Sequence, residues 1–218
     1  MSAVRASARP SPLGRAVTLG DVTALMGIDA RMRLAKLYLT TDARVEQGDL
    51  AEFLQAAFAG GVDIVQIREK DMATKQLLDV LEVARDVAFP HNGLVCVNDS
   101  PEIAHRFQAD VLHVGQHDAA PSEARKQVHK WAQIGQSTHD EADIARSLAD
   151  KAVNYLTVGP VYATSPDPRY APPGLDLVRT AARLAAADGA PIVSEDVLNA
   201  VPSAIALARA GSDVEDGS

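Results

Sequence analysis

Short apolar runs rich in β-branched residues alternate along this chain with longer stretches whose apolar side chains recur every three to four positions. Runs of the first kind read as strands and runs of the second as amphipathic helices. Strands are predicted at residues 37–41, 63–67, 93–98, 111–114, 133–135, 155–159 and 191–194, with helices at 49–59, 74–87, 101–107, 121–131, 141–150, 175–187 and 197–210. Thr74 stands at a helix start, Ser100-Pro101 puts proline where the first helical turn tolerates it, and Asp140 precedes Glu141 as a cap.

Strand and helix in strict alternation mark an α/β protein with a parallel sheet. The expected fold is a (β/α)8 TIM-type barrel, incomplete with about seven βα units in residues 34–210. An absent eighth strand would expose the edges of the first and seventh, so a homodimer or a covering segment is expected there. A doubly wound open sheet also accepts seven strands. Its glycine-rich first turn is missing, because the first strand runs into Thr40-Thr41-Asp42.

Residues 1–33 read as a flexible extension, with Arg5, Arg9 and Arg15 before the first acid, Asp21, and weak periodicity at 22–26. A transit peptide shares that composition. Residues 211–218 form a polar, acidic tail.

Composition narrows the partners. The 218 residues carry a net charge of -8, which argues against nucleic acid or an anionic membrane and leaves any anion to be bound locally. The single Cys96 forbids an intrachain disulfide and fits a reducing compartment; within its apolar run it reads as a buried thiol before a nucleophile. With neither an 18-residue apolar run nor a signal-peptide core, a soluble cytoplasmic protein acting on small molecules is expected.

Along Val62–Lys70, alternation puts Gln66, Arg68 and Lys70 on one strand face that ends in cations. At a barrel mouth they would meet an anion; on a plain strand end they are solvated charges. The third strand ends in Asn98-Asp99, and the fourth runs on to Asp118. Adjacent parallel strands lie about 4.8 Å apart, so these carboxylates could share Mg²⁺. Asp99 also reads as a cap for the helix from Pro101, and Asp118 as a turn residue. Ser137 and Thr138 bring hydroxyls to the same end, Thr138 doubling as a cap candidate. A proline-rich loop from Val161 to Gly174 carries Thr164 and Ser165. His113 reads first as a satisfied core or rim histidine and only second as a base, while His91, His105 and His129 lack metal-ligand spacing.

Taken in order, Tyr38–Asp42, Gly60-Gly61-Val62 into Gln66–Lys70, Val97-Asn98-Asp99, His113–Asp118, Ile134–His139 and Val158–Ser165 resemble thiamine phosphate synthases over residues 34–178. A thiazole tautomerase shares much of that framework. The resemblance implies a transferase of thiamine biosynthesis that joins hydroxymethylpyrimidine pyrophosphate to thiazole phosphate. By resemblance, Gln66, Arg68, Lys70, Asn98 and Ser137 would hold the pyrimidine pyrophosphate, with Arg68, Lys70 and Ser137 catalytic. Asp99 and Asp118 would hold Mg²⁺, while Thr164, Ser165 and Gly174 would line the second substrate's side. Two stretches depart from the pattern. Thr164-Ser165 runs into Pro166-Asp167 where the family has a lysine, and Ile192–Val197 places Glu195 and Asp196 where it has a glycine pair. A non-catalytic, precursor-binding relative is therefore the second expectation.

Overall fold

The computed structural model of this chain describes residues 27–162, 172–188, 192–196 and 204–208. Seven strands run parallel in sequence order: β1 (Leu37–Thr41), β2 (Ile64–Ile67), β3 (Leu94–Asn98), β4 (Val111–Val114), β5 (Gln133–Thr138), β6 (Tyr155–Val158) and β7 (Ile192–Asp196). An eighth, β8 (Ala204–Ala208), lies antiparallel between β7 and β1 and closes the ring. The helices are α1 (Ile28–Leu34), α2 (Leu50–Ala59), α3 (Thr74–Ala88), α4 (Pro101–Phe107), α5 (Pro121–Arg125), α6 (Glu141–Ala149) and α7 (Gly174–Asp188). Among the described residues, no helix is long and apolar enough to cross a membrane.

Strand alternation sorts the core into two faces. Leu39, Val65, Ile67, Val95, Val97, Leu112, Val114 and Ile134 point outward, against Leu54 and Phe58 of α2 and Leu77, Leu81, Ala84 and Ala88 of α3. The α3 residues recur at helical spacing, so one stripe of that helix is buried. The intervening residues Tyr38, Ile64, Leu94, Cys96, Val111 and Tyr155 fill the lumen. Beneath them lie Met32 and Ala35, brought there by α1. Arg31 fastens α1 by donating to the carbonyls of Asn92, 2.5 Å from Nη2, and Gly93, also 2.5 Å. Burying Met32, 1% exposed, contributes about 1.5 to 3 kcal/mol to holding this floor.

Three sequence expectations are corrected here. The final strand is present, and part of the span read as a helix at 197–210 is β8; the run Ala204–Ala208 is too short and uniformly apolar for periodicity to separate helix from strand. Tertiary pairing decides it, because β1 and β7 would otherwise carry unpaired edges. The extension read over 1–33 stops short, since Ile28–Leu34 is a helix whose Met32 belongs to the core. The helix expected over 121–131 ends at Arg125, giving way to turns before β5. Residues 1–26 and the tail at 211–218 lie outside the described residues.

Candidate active site

The carboxyl ends of the parallel strands form the mouth, where loops rather than packing dictate the side chains. At the end of β2, Arg68 is fixed through its backbone N–H to Thr41 O, 2.8 Å away. Arg68 and Lys70 are both exposed, whereas Glu69, on the opposite face, accepts from the Ala43 N–H at 2.7 Å. The predicted alternation holds within β2, where Ile64 and Gln66 face the lumen and Val65 and Ile67 the helices; Arg68 and Lys70 follow the strand's end.

Asp99 follows β3 in the left-handed backbone region, φ 61°, which few residues other than glycine adopt without strain. Its N–H donates to His113 O at 2.8 Å, tying the turn to β4. The cap reading of Asp99 fails, because Ser100 Oγ accepts the Ile103 N–H at 3.2 Å and caps α4 itself. Thr138 does not cap either. It donates to Thr157 O at 2.8 Å, and Asp140 caps α6. The turn reading of Asp118 is correct as far as it goes, its Oδ2 accepting the Gly115 N–H at 2.7 Å.

Asp118 nevertheless reaches Asp99. Burial pushes the Asp99 carboxyl up to about 6, helped by a hydrogen bond and like-charge repulsion from Asp118 and opposed by the Arg68 guanidinium. Two carboxylates held together in partial burial, with a cation close by, form a set of hard oxygen donors that fits a divalent ion such as Mg²⁺. Among the described residues, no group of three or more His, Cys, Asp or Glu side chains stands ready for a metal. A metal here would draw the rest of its shell from ligand and water.

Below the mouth lies a polar floor that sequence reasoning largely missed. Tyr38 donates to Gln66 Oε1 at 3.0 Å, and Gln66 Nε2 donates to Asn98 Oδ1. Across the lumen, the Tyr155 hydroxyl lies 3.3 Å from that of Tyr38 and 3.2 Å from His113 Nδ1. His113 Nε2 is 2.8 Å from Ser137 Oγ, which also accepts from Thr157 Oγ1 at 3.2 Å. Burial holds the His113 ring at about 4, hence neutral at physiological pH, and pushes both tyrosines well above their usual range. Burial likewise raises Cys96 to about 12, which returns it to the inert reading.

Gly135 makes room for this floor. It pairs with Tyr155 across β5 and β6, and a Cβ there would come within 1.9 Å of the tyrosine ring. The signal was available in strand alternation: Tyr38, Gln66, Asn98, His113, Ser137 and Tyr155 all fall on inward positions.

Of the remaining expected site residues, Gly174 begins α7 with φ 70°, in the region that favours glycine. Thr164, Ser165, Pro166 and Asp167 lie outside the described residues. Glu195 and Asp196 end β7, paired in register with Ile205 and Ala204 of β8. The structure thus brings Gln66, Asn98 and Ser137 into one bonded floor, and Asp99, Asp118 and Arg68 into one electrostatic group above it.

An α/β barrel with an ionisable carboxyl-end mouth over a polar floor has the form taken by barrel enzymes. The chain belongs to the thiamine monophosphate synthase family, whose model matches residues 37–194. It is 47% identical over 157 residues to the thiamine-phosphate synthase of Streptomyces avermitilis, covering 71% of this chain and 73% of that one. It is 45% identical over 161 residues to that of Mycolicibacterium smegmatis, covering 70% of each. Among solved structures, a thiamine phosphate pyrophosphorylase from Pyrococcus furiosus superposes with a TM-score of 0.64 at 24% identity over 78% of each chain, a likeness of fold.

Proposed function

We propose that this chain is a thiamine-phosphate synthase, a cytoplasmic transferase that joins hydroxymethylpyrimidine pyrophosphate to thiazole phosphate, giving thiamine phosphate and pyrophosphate. Its membership of the family, at 47% and 45% identity to named synthases, supports the reaction. The observation that carries the site is the gathering of Arg68, Asp99 and Asp118 above Gln66, Asn98 and Ser137 at one barrel mouth.

In this reading Arg68 and Lys70 neutralise the pyrophosphate as it leaves the pyrimidine-methyl carbon, the step where charge develops. Asn98 binds its edge, Ser137 contacts the pyrimidine, and Gln66 holds the heterocycle over the lumen. Asp99 and Asp118 would hold Mg²⁺, which supplies Lewis-acid neutralisation of phosphate oxygens when bound. Thr164, Ser165 and Gly174 belong to the side that receives the thiazole phosphate, whose nitrogen captures the pyrimidine-methyl carbon.

A second reading, a binding protein with little turnover, is favoured by the acids Asp167, Glu195 and Asp196 in the stretches assigned to that second substrate. At an effective dielectric near 20, one carboxylate about 4 Å from a phosphate charge costs on the order of 4 kcal/mol. The deciding experiment supplies both substrates with Mg²⁺ to the purified chain and measures thiamine phosphate. Turnover supports the synthase. Binding of the pyrimidine pyrophosphate without product supports the second reading, and failure to bind it sinks both.

A further inference from the structure

The polar floor under the mouth has an internal logic of donors and acceptors. Asn98 turns its Oδ1, which can only accept, toward Gln66, and the Gln66 amide turns its Nε2 toward Asn98 and its Oε1 toward Tyr38. An amide oxygen only accepts, so the single Tyr38 proton goes to Gln66. The 3.3 Å contact between the two tyrosines then uses the proton of Tyr155, which lies farther, at 3.9 Å, from the weakly accepting Cys96 Sγ. With that proton spent, the 3.2 Å contact of Tyr155 with His113 requires a proton on Nδ1. A ring as buried as His113, 6% exposed, carries one proton, so Nε2 is bare and accepts the Ser137 hydroxyl at 2.8 Å.

Every link in this sequence uses one donor once, and all run in the same direction, from Ser137 on β5 to Asn98 at the end of β3. Thr157 Oγ1 donates into Ser137 Oγ at 3.2 Å, in agreement with a serine whose own proton points down at His113.

We infer that Tyr155 is a positioning residue, the junction of a one-way hydrogen-bond chain that turns Ser137 Oγ into an acceptor, and Asn98 Nδ2 into a donor, at the barrel mouth. The two ends then recognise opposite chemistry. An acceptor at Ser137 fits an N–H donor on a ligand, such as the amino group of an aminopyrimidine, and a donor at Asn98 fits an anionic oxygen. This assignment of ligand ends rests on the reading of the site as a pyrimidine pyrophosphate pocket, whereas the direction of the chain does not.

Tyr155→Phe keeps the ring that Gly135 accommodates and removes the junction alone. Nitrogen-15 NMR of the ligand-free full chain reads the His113 tautomer directly. The parent should show the Nδ1–H form, and both Tyr155→Phe and Tyr38→Phe should shift it to Nε2–H. The second variant acts because it frees the Tyr155 proton to be donated to Nδ1. An Nε2–H parent, or variants that leave the tautomer unchanged, overturns the inference.

Calorimetry with hydroxymethylpyrimidine pyrophosphate and with inorganic pyrophosphate then tests the ligand assignment. Tyr155→Phe should weaken the first roughly 5- to 10-fold, the scale of one hydrogen bond, and leave the second unchanged. Equal loss for both ligands marks general damage and refutes positioning. A parent in the Nδ1–H form that binds inorganic pyrophosphate but not the pyrimidine compound confirms the chain and removes the proposed substrate.

Discussion

Substituting Gly135 by alanine puts the barrel interior to a direct test. The new Cβ would lie 1.9 Å from the nearest Tyr155 ring atom, where ordinary contact begins near 3.4 Å. The ring must therefore retreat by about 1.5 Å, or the backbone of β5 must move by a comparable amount. Tyr155 bonds at 3.2 Å and 3.3 Å to His113 and Tyr38, so such a shift breaks both contacts. Overpacking a core typically costs 1 to 3 kcal/mol and each lost hydrogen bond about 1 kcal/mol, so Gly135→Ala should destabilise by about 3 to 5 kcal/mol. For a chain of this length that is a fall in melting temperature on the order of 10 °C. Urea unfolding followed by circular dichroism measures it. In a Tyr155→Phe background the same substitution should cost about 2 kcal/mol less, because the two hydrogen bonds are already gone. A loss under about 1 kcal/mol in the parent would refute the packing argument, and equal losses in both backgrounds would refute the share assigned to hydrogen bonds.

Other outcomes follow from the same geometry. The His113 pKa is depressed to about 4 from its ordinary 6.5, so the unfolded chain binds the extra proton first. The contribution to stability is present above pH 6.5 and is lost as pH falls through 4, up to about 3 kcal/mol, and His113→Gln should flatten that slope in denaturation at pH 7 and pH 4.5. Arg68→Ala and Lys70→Ala should each weaken pyrophosphate binding roughly 10- to 100-fold with little change in melting temperature; unaltered calorimetric affinity would return both to the solvated surface. Asp99→Asn and Asp118→Asn should each abolish most of the Mg²⁺ dependence of pyrophosphate affinity, and a dependence equal to the parent's would exclude a shared site. Ser100→Ala, which removes the α4 cap, should cost about 1 kcal/mol in thermal unfolding without touching binding.

Much of the barrel was legible because period two and period 3.6 alternate cleanly from Leu37 onward. The strand at Val111–Val114 and the helix at Pro101–Phe107 coincide with their sequence expectations to the residue. Where sequence failed, the missing quantity was tertiary. Ala204–Ala208 has no local preference strong enough to outweigh two waiting strand edges. The seven residues of α1 carry too short a period to stand out, and their helix acquires meaning only when Met32 meets the lumen.

The site divides in the same way. Alternation alone puts each floor residue on an inward position but cannot show which of them meet, because Tyr38 and Tyr155 are 117 positions apart and look like ordinary core aromatics until the ring closes. His113 was read as satisfied, which is correct, yet its satisfaction comes from Ser137 and Tyr155 and links it to the groups below the ligand.

The reversed direction of β8 has a practical consequence for handling this protein. Parallel strands all deliver the chain to the mouth, but β8 travels from the Asp196 end of β7, where Ala204 pairs, down to the Ile192 end, where Ala208 pairs. Strand β8 thus ends at Ala208 on the pole where the parallel strands begin, away from the mouth. A fluorescent protein or affinity handle joined there through a flexible linker starts its path at the pole opposite the ligand, whereas an insertion between β7 and β8 starts at the entrance itself. Comparing ligand association rates for the two fusions would turn strand direction into a kinetic readout of which pole admits the ligand.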